Sequence, residues 1–163
     1  MELKDLGREE KLKILLYTRV DSEIRNIVFA YRGPDLTPSE NLKDMYTFPV
    51  RVIAREQKDA AKTVLSHMTP FRLRIILEEL EEVRGNLKHY LDHIEYAFDS
   101  LYRLQLVPKD IYYYVLNTID AIYAVWNRVS RGDEVTKEHI DEQVDRIRKK
   151  YIQLCRRYSI KID

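Results

Sequence analysis

A chain of 163 residues, 45% hydrophobic and 34% charged, has the length and balance of one globular unit with a sizeable core and a charged surface. A formal net charge of +1 excludes a global field that draws in nucleic acid or acidic ligands, and the single cysteine, Cys155, excludes an internal disulfide framework. The opening MELKDLGREEKLK is too charged for a secretory signal, and the least charged stretch, IYYYVLNTIDAIYAVW, holds Asp120 and is too short to span a bilayer.

In chain order, residues 8–31 carry Leu12, Leu15, Leu16, Ile24, Ile27 and Val28 at roughly helical spacing. The following YRGPDLTPSENLKDMYTFP contains one glycine and three prolines, so it holds no more than a short helix around Ser39 to Met45. Residues 50–67 resume a helix whose small inward residues, Ala54, Ala60 and Ala61, permit close approach of a neighbour. Four prolines, Pro38, Pro49, Pro70 and Pro108, sit where a helix begins, a position that tolerates the missing N–H. Thr37, Thr69 and Thr136 are the expected N-caps.

From Pro70 onward the pattern sharpens. Leu73, Ile76, Leu80, Val83, Leu87, Tyr90, Ile94, Ala97, Leu101 and Leu104 alternate steps of three and four, a heptad seam. Tyr112, Val115, Ile119, Ile122, Trp126 and Val129 continue it, and so do Ile140, Val144, Ile147, Tyr151, Leu154 and Tyr158. The expectation is an all-α fold: an antiparallel bundle of three long helices, at about 70–104, 108–130 and 136–158, joined by short connections. Two further helices and an irregular arm precede it. Residues 1–69 and 70–163 form the two sections, taken together as one structural unit.

The stretch EEVRGNLKHYLDHIEY concentrates candidate chemistry. On a continuous helix Arg84 and His89 diverge by about 140°, whereas His89 and His93 diverge by only about 40° and can share a metal ion. Glu82 and Asp92 lie nearby, but no third and fourth ligands stand out, and solvated helix histidines are the plainer reading. Gly85 costs a helix about 1 kcal/mol relative to alanine, which marks either a close neighbour or a local bend. RGNLKH resembles the R-x4-H motif of HEPN-type ribonucleases, an all-α and often dimeric family. That resemblance implies RNA cleavage by Arg84 and His89 at a dimer cleft.

Further along, Tyr112, Tyr113, Tyr114, Tyr123 and Trp126 form an aromatic cluster. Tyr112 and Trp126 fall on the seam, while Tyr113 and Tyr114 fall off it, where exposure suits a protein interface. The last helix opens acidic, with Glu134, Glu138, Asp141 and Glu142, and closes basic. That order complements the helix dipole and also segregates charge. Arg148, Lys149, Lys150, Arg156 and Arg157 make a candidate phosphate-tracking stripe. Cys155 has no spacing partner and reads as a structural thiol. There is no Gly-rich phosphate loop, nucleophile elbow or zinc spacing, so no cofactor is expected.

These readings favour a binding or assembly protein over an enzyme. Helical arm, proline-broken segment and bundle together resemble the layout of coat proteins of filamentous viruses of hot-spring archaea. That resemblance implies a self-associating nucleocapsid subunit packaging DNA or RNA. It makes Arg19, Arg25, Arg32, Arg51 and Arg55 the arm's phosphate contacts and the C-terminal stripe a second surface. The abundance of Tyr, Ile and charged residues beside scarce Gln and Cys fits a heat-loving source. The alternatives are the HEPN-like nuclease and a cytosolic helical adaptor that binds only protein. The expected partners are copies of the chain or other subunits, with no membrane span and a cytoplasmic or virion location.

Overall fold

The computed structural model describes residues 57–83, 87–103 and 105–161, with side chains at all of these except 57, 58, 89, 90, 93 and 100. The described chain is helical and contains no strand. We number its helices α1 (Gln57–His67), α2 (Pro70–Glu79), α3 (Leu87–Arg103), α4 (Lys109–Ser130) and α5 (Lys137–Arg157), with a 3₁₀ turn at Leu80–Glu82. The expected helix over 8–31, the arm, and Thr37, Pro38 and Pro49 lie outside the described residues.

Local chemistry sets the ends. Thr69 caps α2 by accepting from the Arg72 N–H, and Pro70 opens the helix. Thr136 caps α5 by accepting from the His139 N–H at 3.3 Å, while the Thr136 N–H donates to His139 Nδ1 at 3.1 Å. That reciprocal pair is a capping box with histidine in the place usually held by Glu or Gln. Pro108 stands at the N-cap of α4, one residue before the first turn.

Three helices end on the same device. The Leu106 N–H donates to the Leu101 carbonyl and Gln105 N–H to Tyr102; Asp133 donates to Arg128 and Gly132 to Val129; Ile160 donates to Cys155 and Ser159 to Arg156. This is the Schellman pattern, which puts one residue in the left-handed region. Gln105, Gly132 and Ser159 hold those positions, with φ of 59°, 75° and 56°.

The heptad read over 70–104 is served by two helices rather than one. α2 ends at Glu79, the 3₁₀ turn ends at Glu82, and Val83 is extended with ψ 129°. The sequence supplies the cause. Glu78, Glu79, Glu81 and Glu82 crowd the negative end of α2, whose last turn holds no basic residue to offset them. One of these carboxylates, Glu79, has its Oε2 buried with no hydrogen-bond partner. The apolar seam nevertheless runs on, since Leu80, Val83 and Leu87 are all buried.

α4 is central. It packs against α2, α3, α5 and the 3₁₀ turn, while α2 also packs on α5. Tyr112 near the start of α4 donates to Asp99 late in α3, and Tyr123 donates to Asp92 early in α3, so the two helices run in opposite senses. α4 and α5 do likewise: Asp110 meets Tyr158, and Tyr114 lies against Tyr151. Arg74 of α2 pairs with Asp141 of α5 at 2.7 Å. Ala60, Ala61, Val64 and Leu65 of α1 are buried in the same apolar cluster as the seams of α2 to α5.

Tyr114 corrects the sequence reading. It is 1% exposed, and its hydroxyl donates to the Met68 carbonyl. The buried face of α4 is broader than the seam and takes in Ile111, Tyr114, Thr118, Ala121 and Val125. A central helix flanked on several sides needs a wider apolar arc than a two-helix seam. Tyr112 and Trp126 are half-buried, and Tyr113 is exposed as expected.

Candidate nucleic-acid interface

α5 carries its cations on the faces left free by a buried row of Ile140, Val144, Ile147, Leu154 and Cys155. They differ in commitment. Arg148 pairs with Asp145 of its own helix at 3.2 Å. Arg157 reaches across to Asp110 of α4 at 2.6 Å, and the Tyr158 hydroxyl donates to the same carboxylate at 2.7 Å. Burial, reinforced by the bond to Asp110, pushes the Tyr158 hydroxyl's pKa up. Asp110 thus clasps the start of α4 to the end of α5, and Arg157 is part of that clasp. Lys149, Lys150 and Arg156 are exposed, and among the described residues no carboxylate lies within ion-pair distance of them. Arg19, Arg25, Arg32, Arg51 and Arg55 lie outside the described residues.

An open groove and an open polar surface lie beside this face. The first, about 600 Å³, lies at the α4–α5 turn and is lined by Asn127, Arg128, Arg131, His139, Glu142 and Gln143 among others. The second is the outer face of α5 itself, carrying Asp145, Arg146, Lys149, Lys150 and Gln153. Glu142 and Gln143 border both. Arg128, Arg131, Arg146, Lys149 and Lys150 set five positive charges against two negative ones, Glu142 and Asp145. Arg131 is partly neutralised by Asp133 at 3.3 Å. Arg128 is half-buried and has no ion pair among the described residues. Arg146 donates to Gln143 Oε1 at 2.7 Å. From His139 to Gln153 the track is about 21 Å long at 1.5 Å per residue. Such a surface can hold a string of phosphates by charge and by hydrogen bonds.

The opposite flank, between α3 and α4, is acidic. Asp92 is held by Lys88 and Tyr123, and Asp99 by Arg103 and Tyr112. Glu95 stands between them. Burial first, then the charges of Asp92, Asp120 and Asp99, raise its carboxyl above the usual range.

Of the R-x4-H pair, only His89 falls on a described helix, α3, which begins at Leu87. Arg84 lies outside the described residues. His89 and His93 fall in the first two turns of α3, and their side chains also lie outside the description. Among the described residues no group of three or more His, Cys, Asp or Glu is placed to hold a metal ion. None of the described helices is long and apolar enough to cross a membrane.

Sequence reading named Lys149 and Lys150 but missed Asn127, Arg128, Arg131, His139, Gln143 and Arg146. One signal was available. SRGDEVT marks a tight turn, so residues one or two turns before Gly132 must neighbour those just after Thr136. No protein-family model matches the chain, and neither a curated protein nor a solved structure matches it.

Proposed function

We propose that the chain is a non-enzymatic structural subunit, an antiparallel helical bundle that associates with copies of itself and lays nucleic acid along α5. The observation that carries this reading is the polar surface running from the α4–α5 turn along α5, with five cations to two acids and the exposed Lys149 and Lys150 at its far end. The apolar seams supply the scaffold, and burial of both aromatic and aliphatic seam residues leaves the polar surface to make outside contacts. The layout expected from the sequence resembles that of coat proteins of filamentous archaeal viruses, which favours the same assignment and makes the N-terminal arginines further candidate phosphate contacts.

The test is fluorescence anisotropy with labelled duplex and single-stranded DNA and RNA across a salt series. Neutralising three to five phosphates gives a log–log slope of about −2.7 to −4.5 on duplex DNA, so affinity falls roughly 40- to 500-fold between about 50 and about 200 mM salt. Reversing Lys149 and Lys150 together to Glu weakens binding to all sequences alike and reduces the slope by about two. Binding that ignores salt, or no binding at low salt, overturns the proposal. Light scattering on the same samples reads assembly. A monomer inert to nucleic acid returns the adaptor reading. RNA cleavage abolished by Arg84→Ala and His89→Ala returns the nuclease reading.

A further inference from the structure

The geometry points to a discrete phosphate-binding subsite at the α4–α5 turn, formed by Asn127 and Arg128 of α4 with His139 and Gln143 of α5. The site takes a single phosphate group, either free phosphate or the terminal monoester of a nucleic acid. It rests on the groove reading above for the second of these sources, and on the groove's own chemistry for the first.

Four side chains line this end of the groove with donors. Arg128 offers a guanidinium on a half-buried side chain that has no ion pair among the described residues, and a phosphate can take it in a bidentate pair. His139 Nδ1 is occupied as an acceptor by the Thr136 N–H. The neutral ring therefore carries its proton on Nε2, and the capping box fixes a donor as well as a helix end. Gln143 spends its Oε1 on Arg146, which leaves its amide N–H groups as donors. Asn127 adds a second amide and the fourth donor side chain. Against these stands one carboxylate, Glu142, which is exposed.

The backbone favours an anion too. His139 and Gln143 lie in the first two turns of a helix of 21 residues, where the dipole attracts negative charge. The α4 terminus facing it would ordinarily repel an anion through its bare carbonyls. Here the carbonyls of Asn127, Arg128 and Val129 are already engaged by the N–H groups of Arg131, Asp133 and Gly132. Thr136 takes the His139 N–H with its own hydroxyl and fixes the ring, so the donors that remain at the turn are chiefly those of the side chains.

The experiment is an NMR titration of the full chain with inorganic phosphate, set against chloride at equal ionic strength. It is followed by anisotropy with 5′-phosphorylated and 5′-hydroxyl oligonucleotides of one sequence. Phosphate is expected to shift the amides of residues 127–143 and to leave those around Lys149 and Lys150 nearly unmoved. Arg128→Gln should lower phosphate affinity about tenfold or more. His139→Gln keeps a capping-box residue, and so the fold, yet should still lose several-fold affinity with the ring donor. Shifts spread along the whole of α5, or unchanged affinity in Arg128→Gln, overturn the subsite and indicate diffuse cation attraction. Phosphate binding lost in both variants without any oligonucleotide binding upholds the subsite and removes the nucleic-acid reading. Oligonucleotide binding indifferent to the 5′-phosphate and to Arg128→Gln does the reverse.

Discussion

Gln105, Gly132 and Ser159 occupy equivalent places at three helix ends, yet one alone is the residue that a positive φ suits. A side chain in the left-handed region costs roughly 1 kcal/mol, which glycine avoids. Gln105→Gly should therefore stabilise the protein by about 0.5–1 kcal/mol, read as a rise in the denaturant midpoint at constant slope. Gly132→Ala should lose about the same amount, and for the same reason, because no atom lies within 4 Å of where its Cβ would stand. This scale also shows what a sequence conceals. Thr69 and Thr136 were legible as caps because threonine before an apolar run has a specific local use. Gln105 was not legible, since nothing in a glutamine marks it for a left-handed turn.

At the scale of elements, the seams were legible, and the joint between α2 and α3 was signalled only by Gly85, read as marking either a close neighbour or a local bend. A heptad reports which residues face inward, and Leu80, Val83 and Leu87 do face inward. It does not report whether the backbone stays helical between them. That outcome was settled by the four glutamates at the end of α2, a charge effect that apolar periodicity ignores. The same logic explains why the buried face of α4 was underestimated: the seam describes one neighbour, and α4 has several. Charge also acts between α3 and α4. Glu95 has its carboxyl raised by burial and by Asp92, Asp120 and Asp99, so the folded state holds its proton more tightly than the unfolded state does. An acid shifted upward opposes folding once ionised. Its cost is present at neutral pH and disappears as pH falls through the raised value towards the ordinary carboxylate range. Glu95→Gln should accordingly raise the melting temperature at pH 7, by an amount worth no more than about 0.5 kcal/mol for so exposed a group, and should leave it unchanged in acid. A gain that persists or grows at low pH contradicts the assignment.

For the whole molecule, the class of fold could be read from periodicity, whereas the candidate site could not. Lys149 and Lys150 were visible as a charge run. Arg128 and His139 became neighbours only when the α4–α5 turn closed, and a site assembled across a turn leaves no contiguous motif. Cys155 illustrates the opposite case, a lone residue whose fate governs how the whole chain behaves. Its thiol is 0% exposed, and burial raises its pKa despite the bond from Tyr151. A reagent reaches it only when the packing of α5 opens. Alkylation of the native protein should be slower than that of the denatured chain by roughly a thousandfold or more, and mass spectrometry against time measures it directly. The native packing is then held without sulfur cross-links, and its one sulfhydryl serves as an internal clock that advances only when the fold opens.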